Sequence, residues 1–207
     1  MRSANSEPVM PTALKILIAG GFGVGKTTMV GSVSEVAPLQ TEEHMTEASL
    51  GIDDLAGVEG KASTTVAMDF GRITIGPELV LYLFGTPGQD RFWFMWDDLA
   101  TGALGAVVLA DTRRLATSFA SIDFFEEREI PFAVAVNCFY GRCGSSAEQV
   151  RAALDLDAAT PVLLCDVRDR DSSKDVLLKV LGAARARAAA RLGRASGRDQ
   201  SVDSPSR

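Results

Sequence analysis

At 207 residues the chain is long enough for one domain of ordinary size, and 46% hydrophobic against 23% charged residues is the balance of a soluble globular protein. A formal net charge of -6 argues against nucleic acid as a partner. No uninterrupted apolar stretch approaches the roughly 18 residues of a membrane span, and the early run Leu14–Ala19 lacks the flanks and cleavage site of a signal peptide.

In chain order, Met1–Thr12 mixes Ser, Asn and Glu with two prolines and reads as a disordered lead-in, so the folded domain is expected over 13–192 with a polar tail at 193–207. The first strand is Leu14–Ala19. A Gly-rich turn and a helix-compatible segment follow, from Gly25 to about Glu35. The polar stretch Pro38–Ser63 then reads as one long loop, a length that in a compact domain is functional or disordered. It holds His44, the one histidine, which has no metal spacing and suggests no histidine chemistry.

Val66–Ile75 and Leu79–Phe84 are separated only by Gly76-Pro77-Glu78, too short for a helical crossover, so they are predicted to form an antiparallel hairpin. The run Phe92-Trp93-Phe94-Met95-Trp96 has too many aromatics for one core face and reads as an interface anchor, with packing into the fold as the alternative. Further strands are Gly105–Ala110, Phe132–Val136 and Pro161–Cys165, continuously apolar as strands covered on both faces should be. Between them Leu115, Phe119, Ile122 and Phe125 recur at helical spacing. Ser145 with Glu148, and Ser146 with Gln149, each match a capping box. Ser172 is placed to cap a last helix with the stripe Val176, Leu177, Val180, Leu181 and Ala184. The sum is an α/β fold: a six-stranded, mostly parallel sheet with one antiparallel strand and helices on both faces.

Gly20-Gly21-Phe22-Gly23-Val24-Gly25-Lys26-Thr27 satisfies the P-loop pattern G-x-x-x-x-G-K-[ST], with a strand before it and a helix after it. Such glycines let the backbone turn consecutive N–H groups toward phosphate oxygens, and the helix adds its positive end. Lys26 is expected on the terminal phosphates and the Thr27 hydroxyl on Mg²⁺, with Gly20, Phe22, Gly23, Val24, Gly25 and Thr28 completing the cradle. Cys138, Cys143 and Cys165 are odd in number, lack metal-ligand spacing and read as reduced thiols in a cytoplasm. Arg185, Arg187, Arg191, Arg194 and Arg198 read as a solvated helix face, with peripheral contact to the inner face of a membrane as the alternative.

Thr65-Val66-Ala67-Met68-Asp69-Phe70 resembles the T-x-x-x-D-F step where the first switch of Ras-like GTPases enters its strand, and Pro87-Gly88-Gln89 resembles their second switch. The T-P-G-Q form, the hairpin and Asn137-Cys138-Phe139 are similar to the MglA-like bacterial GTPases, closest to the GTPase component (CvnD) of actinobacterial conservon operons. The resemblance covers about Leu14–Leu181. It implies a P-loop GTP/GDP switch acting in bacterial signalling. Thr65 would bind Mg²⁺ and the γ-phosphate, the Gly88 N–H would meet that phosphate, and Gln89 would orient the attacking water. It also implies a Roadblock/LC7-type regulator and a sensor-kinase-like membrane protein as partners.

Departures from that pattern carry consequences. Gly85 stands where Ras-like proteins have the Mg²⁺-holding Asp, and Asp69 is the nearest acidic substitute. Phe22 replaces a glycine facing the γ-phosphate, where a ring obstructs an arginine finger and slow hydrolysis follows. In the guanine-reading N-K-x-D place, Asn137 is kept, but Lys is Cys138 and Asp is Tyr140. Asp166 and Val167 fall where a backbone N–H would meet guanine, and Asp166 is a candidate for the lost carboxylate. Two other classes fit a P-loop: a degenerate, nucleotide-poor scaffold and a small-molecule kinase. The second lacks any Arg-rich lid.

Overall fold

The computed structural model describes residues 11–37, 39–44, 65–88 and 90–199, and side chains at 11–37, 68–88 and 92–193. Strand β1 (Thr12–Ala19) leads through the P-loop into helix α1 (Lys26–Val33). β2 (Leu39–His44), β3 (Thr65–Thr74) and β4 (Leu79–Gly85) follow. A 3₁₀ segment Asp90–Met95 runs into α2 (Trp96–Ala100). Then come β5 (Gly105–Ala110), α3 (Phe119–Glu127), β6 (Phe132–Asn137), α4 (Ala147–Ala153), β7 (Val162–Cys165) and α5 (Arg170–Asp199).

The sheet order is β2-β3-β4-β1-β5-β6-β7. β1 pairs parallel with β4 and β5, as β5 does with β6 and β6 with β7. The hairpin closes at Gly76, where φ is +71°, and the Ile75 N–H donates to the Leu79 carbonyl at 2.7 Å. All six expected strands are present, within a residue or two of their expected ends. The sequence reading missed β2, which lies inside the stretch taken as a loop and pairs antiparallel with β3. Its residues Leu-Gln-Thr-Glu-Glu-His lack a clean alternation. An edge strand needs none, because one side of it faces no ladder and charge there blunts further pairing. β2 therefore runs with β4, and β3 remains the one reversed strand of the sheet.

Each face of the sheet buries its own core. Ile16, Ile18, Leu81, Val107 and Ala135 meet Met29, Val30 and Val33 of α1 and Val176, Leu177 and Val180 of α5. On the other face Leu17, Val108 and Val134 meet Trp96, Ile122, Phe125 and Val150 of α2, α3 and α4. Both sides of the central strands are covered, which is why they read as unbroken apolar runs.

The aromatic run divides. Phe92 and Trp96 are buried, Trp93 stacks on Trp96 at 4.4 Å between ring centroids, and only Phe94 projects, 59% exposed. Packing into the fold accounts for it, and the interface reading shrinks to Phe94. Phe119, counted in the apolar stripe of α3, is exposed, and Phe124 takes the inward place beside Phe125.

Of the two capping boxes, Ser146 with Gln149 forms: the Gln149 N–H donates to the Ser146 hydroxyl and the Ser146 N–H to the Gln149 side chain. The last helix is capped one turn earlier than expected, because the Asp169 carboxylate accepts the Ser172 N–H at 2.7 Å. Ser172 instead accepts the Asp166 N–H through its hydroxyl. α5 also runs past position 192 into the supposed tail, as its Ala- and Arg-rich composition favours. On it, Arg187 and Arg191 both donate to the Glu129 carboxylate, at 2.9 and 2.8 Å. Among the described residues no helix is long and apolar enough to cross a membrane.

Candidate nucleotide-binding site

The parallel strands β1, β4, β5, β6 and β7 all end on one side of the molecule, and the predicted site residues other than Thr65 and Gln89 lie at those strand ends, in the turns that leave them or in the first turn of α1. Gly20 turns out of β1 at φ +131°, and a Cβ there would come within 2.4 Å of the Leu109 carbonyl oxygen. Gly25 enters α1 at φ +113°, where a Cβ would meet the Asn137 amide at 2.9 Å. The loop is thus held against β5 on one side and β6 on the other. Asn137 ties it down, donating from Nδ2 to the Val24 carbonyl at 2.9 Å and accepting the Val167 N–H at 3.4 Å.

Lys26 curls back over the loop, its ammonium donating to the Gly20 and Gly21 carbonyls at 2.8 and 2.9 Å. Burial lowers its pKa to about 8, and the Asp69 charge works in the opposite direction. Thr27 and Thr28 follow on the first turn of α1, both exposed.

The β3–β4 register sets Asp69 opposite the position of the missing switch carboxylate. Asp69 pairs directly with Gly85. A Cβ on Gly85 would fall 2.9 Å from the Asp69 carboxylate, so Asp69 fills the space that an aspartate at 85 would need. Its Oδ2 accepts the Thr27 hydroxyl at 2.7 Å, and the residue is buried. A carboxylate and a threonine hydroxyl side by side at the phosphate loop are the hard oxygen pair that Mg²⁺ takes together with substrate phosphates.

Beyond β4, the Thr86 N–H donates to the Ile18 carbonyl at 2.9 Å. Gly88 then lies over the loop, where a Cβ would come within 2.5 Å of Lys26 Nζ and 3.1 Å of the Phe22 nitrogen. The Gly88 backbone is therefore placed to meet whatever the loop holds. Phe22 stands on the rim with 69% of its surface exposed. Thr65 opens β3 but its side chain, like the whole of Gln89, lies outside the described residues.

The base-side loops are built differently from the expectation. Cys138 and Cys143 are brought together with Cα atoms 4.7 Å apart, so two of the three thiols read as reduced are placed to join as a disulfide. The cause is the tight turn between them, with positive φ at Tyr140 and Gly141. Cys165 is free and buried, and burial pushes its thiol up to about 12 with the Asp166 charge adding to the rise. Tyr140 is 81% exposed, and the Arg168 guanidinium lies 5.0 Å from its ring centroid. Arg168 also grips Asp166 through Nε and a terminal nitrogen, at 2.9 and 2.6 Å. These bonds hold the Asp166 carboxyl down at about 2. Asp166, the candidate for the missing guanine acceptor, is therefore engaged by Arg168.

Four residues near the loops went unnoticed in the sequence. Asp111, at the end of β5, is buried and accepts the Arg113 backbone N–H, Nε and a terminal nitrogen within 2.9 Å. Arg113 covers the Phe139 ring at 4.3 Å, and Arg114 donates to the Phe22 carbonyl at 3.2 Å. Arg168 is the fourth. The available signal was positional: Asp111-Thr112-Arg113-Arg114 directly follows a central parallel strand, where ligand-facing turns belong.

A family model described as conserved hypothetical ATP binding protein matches residues 18–186. An uncharacterized protein of Methanocaldococcus jannaschii is 31% identical over 126 residues, 60% of this chain and 69% of that protein. Among solved structures, the G domain of the T. maritima FeoB iron transporter matches with a TM-score of 0.59 at 16% identity, over 84% of this chain and 99% of that domain. The cytosolic domain of the same transporter in a GDP form gives 0.59 at 17%, over 84% and 64%. The FeoB G domain from Methanococcus jannaschii gives 0.53 at 13%, over 84% and 99%. At these identities the likeness to the solved structures is one of fold.

Proposed function

The chain belongs to the family of conserved hypothetical ATP binding proteins, and on that premise we propose that it is a GTP-binding switch that hydrolyses GTP slowly to GDP and phosphate. The observation that carries the reading is the grouping of Lys26, Thr27 and Asp69 at the end of β1. The ammonium is set over the loop for the terminal phosphates, and the carboxylate missing at position 85 is supplied from the neighbouring strand. A scaffold with no use for a triphosphate has no reason to keep that arrangement.

Thr27 and Asp69 would hold Mg²⁺, with Thr65 joining when a triphosphate is bound. The ion would supply charge neutralisation on the phosphate oxygens. Among the described residues no cluster of three or more acidic, histidine or cysteine ligands exists. That suits an ion bound by one or two protein groups plus substrate oxygens. Gln89 would orient the attacking water, and the Gly88 N–H would meet the γ-phosphate. The Phe22 ring on the rim obstructs a cation entering from a partner, so turnover stays well below the ~1 s⁻¹ of ordinary enzymes.

Partners would read the two nucleotide states through the segments around Thr65 and Gln89. The resemblance to conservon GTPases suggests a Roadblock/LC7-type regulator and a sensor-kinase-like membrane protein for that role. One observation favours a second reading of base choice: Tyr140 replaces the guanine-reading carboxylate and Asp166 is tied to Arg168, so ATP would compete with GTP. Isothermal titration with GTP, GDP and ATP decides between the two. Lys26→Ala should weaken triphosphate binding by about tenfold or more, the value of one charge-assisted contact. Unchanged binding would sink the P-loop assignment.

A further inference from the structure

We propose that Arg114 is a phosphate-contacting residue through which the chain supplies its own positive charge to the reacting phosphate. The inference rests on the hydrolysis reading above. β5 ends at Ala110, and the two arginines after it part ways. Arg113 is held by the buried Asp111 through its backbone and its guanidinium, and covers Phe139 on the base side. Arg114 turns to the phosphate side. Its terminal nitrogen donates to the Phe22 carbonyl at 3.2 Å and would lie 3.8 Å from a Cβ on Gly23. Asp111 stands 3.7 Å behind it and steadies the guanidinium without enclosing it.

The rest of the turn is equally committed to the loop. A Cβ on Gly21 would strike the Thr117 hydroxyl at 2.6 Å, so Arg114 and Thr117 press on consecutive P-loop residues. Among the described residues the Phe22 carbonyl accepts from the Arg114 side chain and Asp111 is its ion-pair partner, which leaves N–H groups of a half-exposed fork for a phosphate. The outward-facing Phe22 ring occupies the rim by which a partner's cation would arrive. An arginine already anchored on the loop at the Phe22 carbonyl needs no such entry.

In hydrolysis the water oxygen bonds to the γ-phosphorus while the bond to the β–γ bridging oxygen breaks. The electron pair goes to that oxygen, and the water proton leaves on the released phosphate. Negative charge grows on the bridging and γ oxygens, and a fixed guanidinium at the loop lowers its cost.

Single-turnover phosphate release from the full chain, compared with Arg114→Ala and Arg114→Lys, tests the role. Arg114→Ala should slow release by about 100-fold, the scale of one preorganised donor to transition-state oxygens, with Arg114→Lys between it and the parent. Its affinity for GDP plus aluminium fluoride should fall while affinity for GDP alone stays unchanged. Release at the parent rate overturns the proposal, and so does an equal loss of GDP affinity, because Arg114 would then only brace the loop. A parent that binds GTP yet releases no phosphate overturns the hydrolysis reading itself, and this proposal with it.

Discussion

In the β3–β4 ladder Asp69 and Gly85 are cross-strand partners, and the space between them holds one carboxylate. Asp69→Ala should therefore weaken Mg²⁺-dependent nucleotide binding by about tenfold, the value of one charge-assisted contact. Gly85→Asp alone should also weaken it, because two carboxylates at that separation repel. The double variant Asp69→Ala/Gly85→Asp should restore binding, since the carboxylate then reaches Thr27 from the other strand. A Mg²⁺ titration with a fluorescent nucleotide checks all three, and a double variant no better than Asp69→Ala would end the substitution argument. At this scale the P-loop was legible because its chemistry is local. The partnership of residues 69 and 85 was not, because it depends on a hairpin register that no spacing states. On the base side, Tyr140→Asp should sharpen GTP over ATP by about tenfold in competition binding, one charge-assisted contact again. No gain would show that Arg168, beside position 140, neutralises the new carboxylate.

Among the elements, the short α2 depends on its aromatic contacts more than on its five residues of helix. Trp96 is buried and packs against Trp93, Phe124 and Phe125 with ring centroids 4.4, 5.0 and 5.9 Å apart, whereas Phe94 lies outward. Trp96→Ala should cost about 3–5 kcal/mol in urea unfolding. Phe94→Ala should stay within about 0.5 kcal/mol. If the two cost the same, the division of that run into core and surface is wrong. The segment illustrates what periodicity hides: in a 3₁₀ turn running into an α-helix, neighbouring aromatics face directions that neither period predicts. β2 was hidden for another reason. Paired on one side only among the described residues, it needs no apolar pattern, whereas β5 and β6, covered on both faces, announce themselves as apolar runs.

Across the whole molecule, the site is a gathering of turns rather than a pocket in one element. The P-loop follows β1, Thr86–Gly88 follows β4, Asp111–Thr117 follows β5, Asn137–Cys143 follows β6 and Asp166–Arg168 follows β7. Loops already bridge one another through Arg114 to Phe22, Asn137 to Val24 and Val167, and Arg168 to Tyr140. A bound nucleotide would extend that bridging to all five, and anything that binds the folded state alone stabilises it by mass action. GTP with Mg²⁺ at 100 times its dissociation constant should contribute about 2.7 kcal/mol. For a domain of this size that raises Tm by roughly 5–10 °C. The rise should be smaller without Mg²⁺, because Asp69 and Thr27 then lack the ion that joins them to the phosphates. In Lys26→Ala at the same nucleotide concentration it should fall to about half or less, because a tenfold weaker site leaves about 1.4 kcal/mol. Hydrogen exchange should slow in all five turns together, including residues 111–117, which carry no recognised nucleotide motif. Protection confined to the P-loop, with residues 111–117 unchanged, would show that the nucleotide engages β1 and α1 alone, and the five-turn site would have to be abandoned.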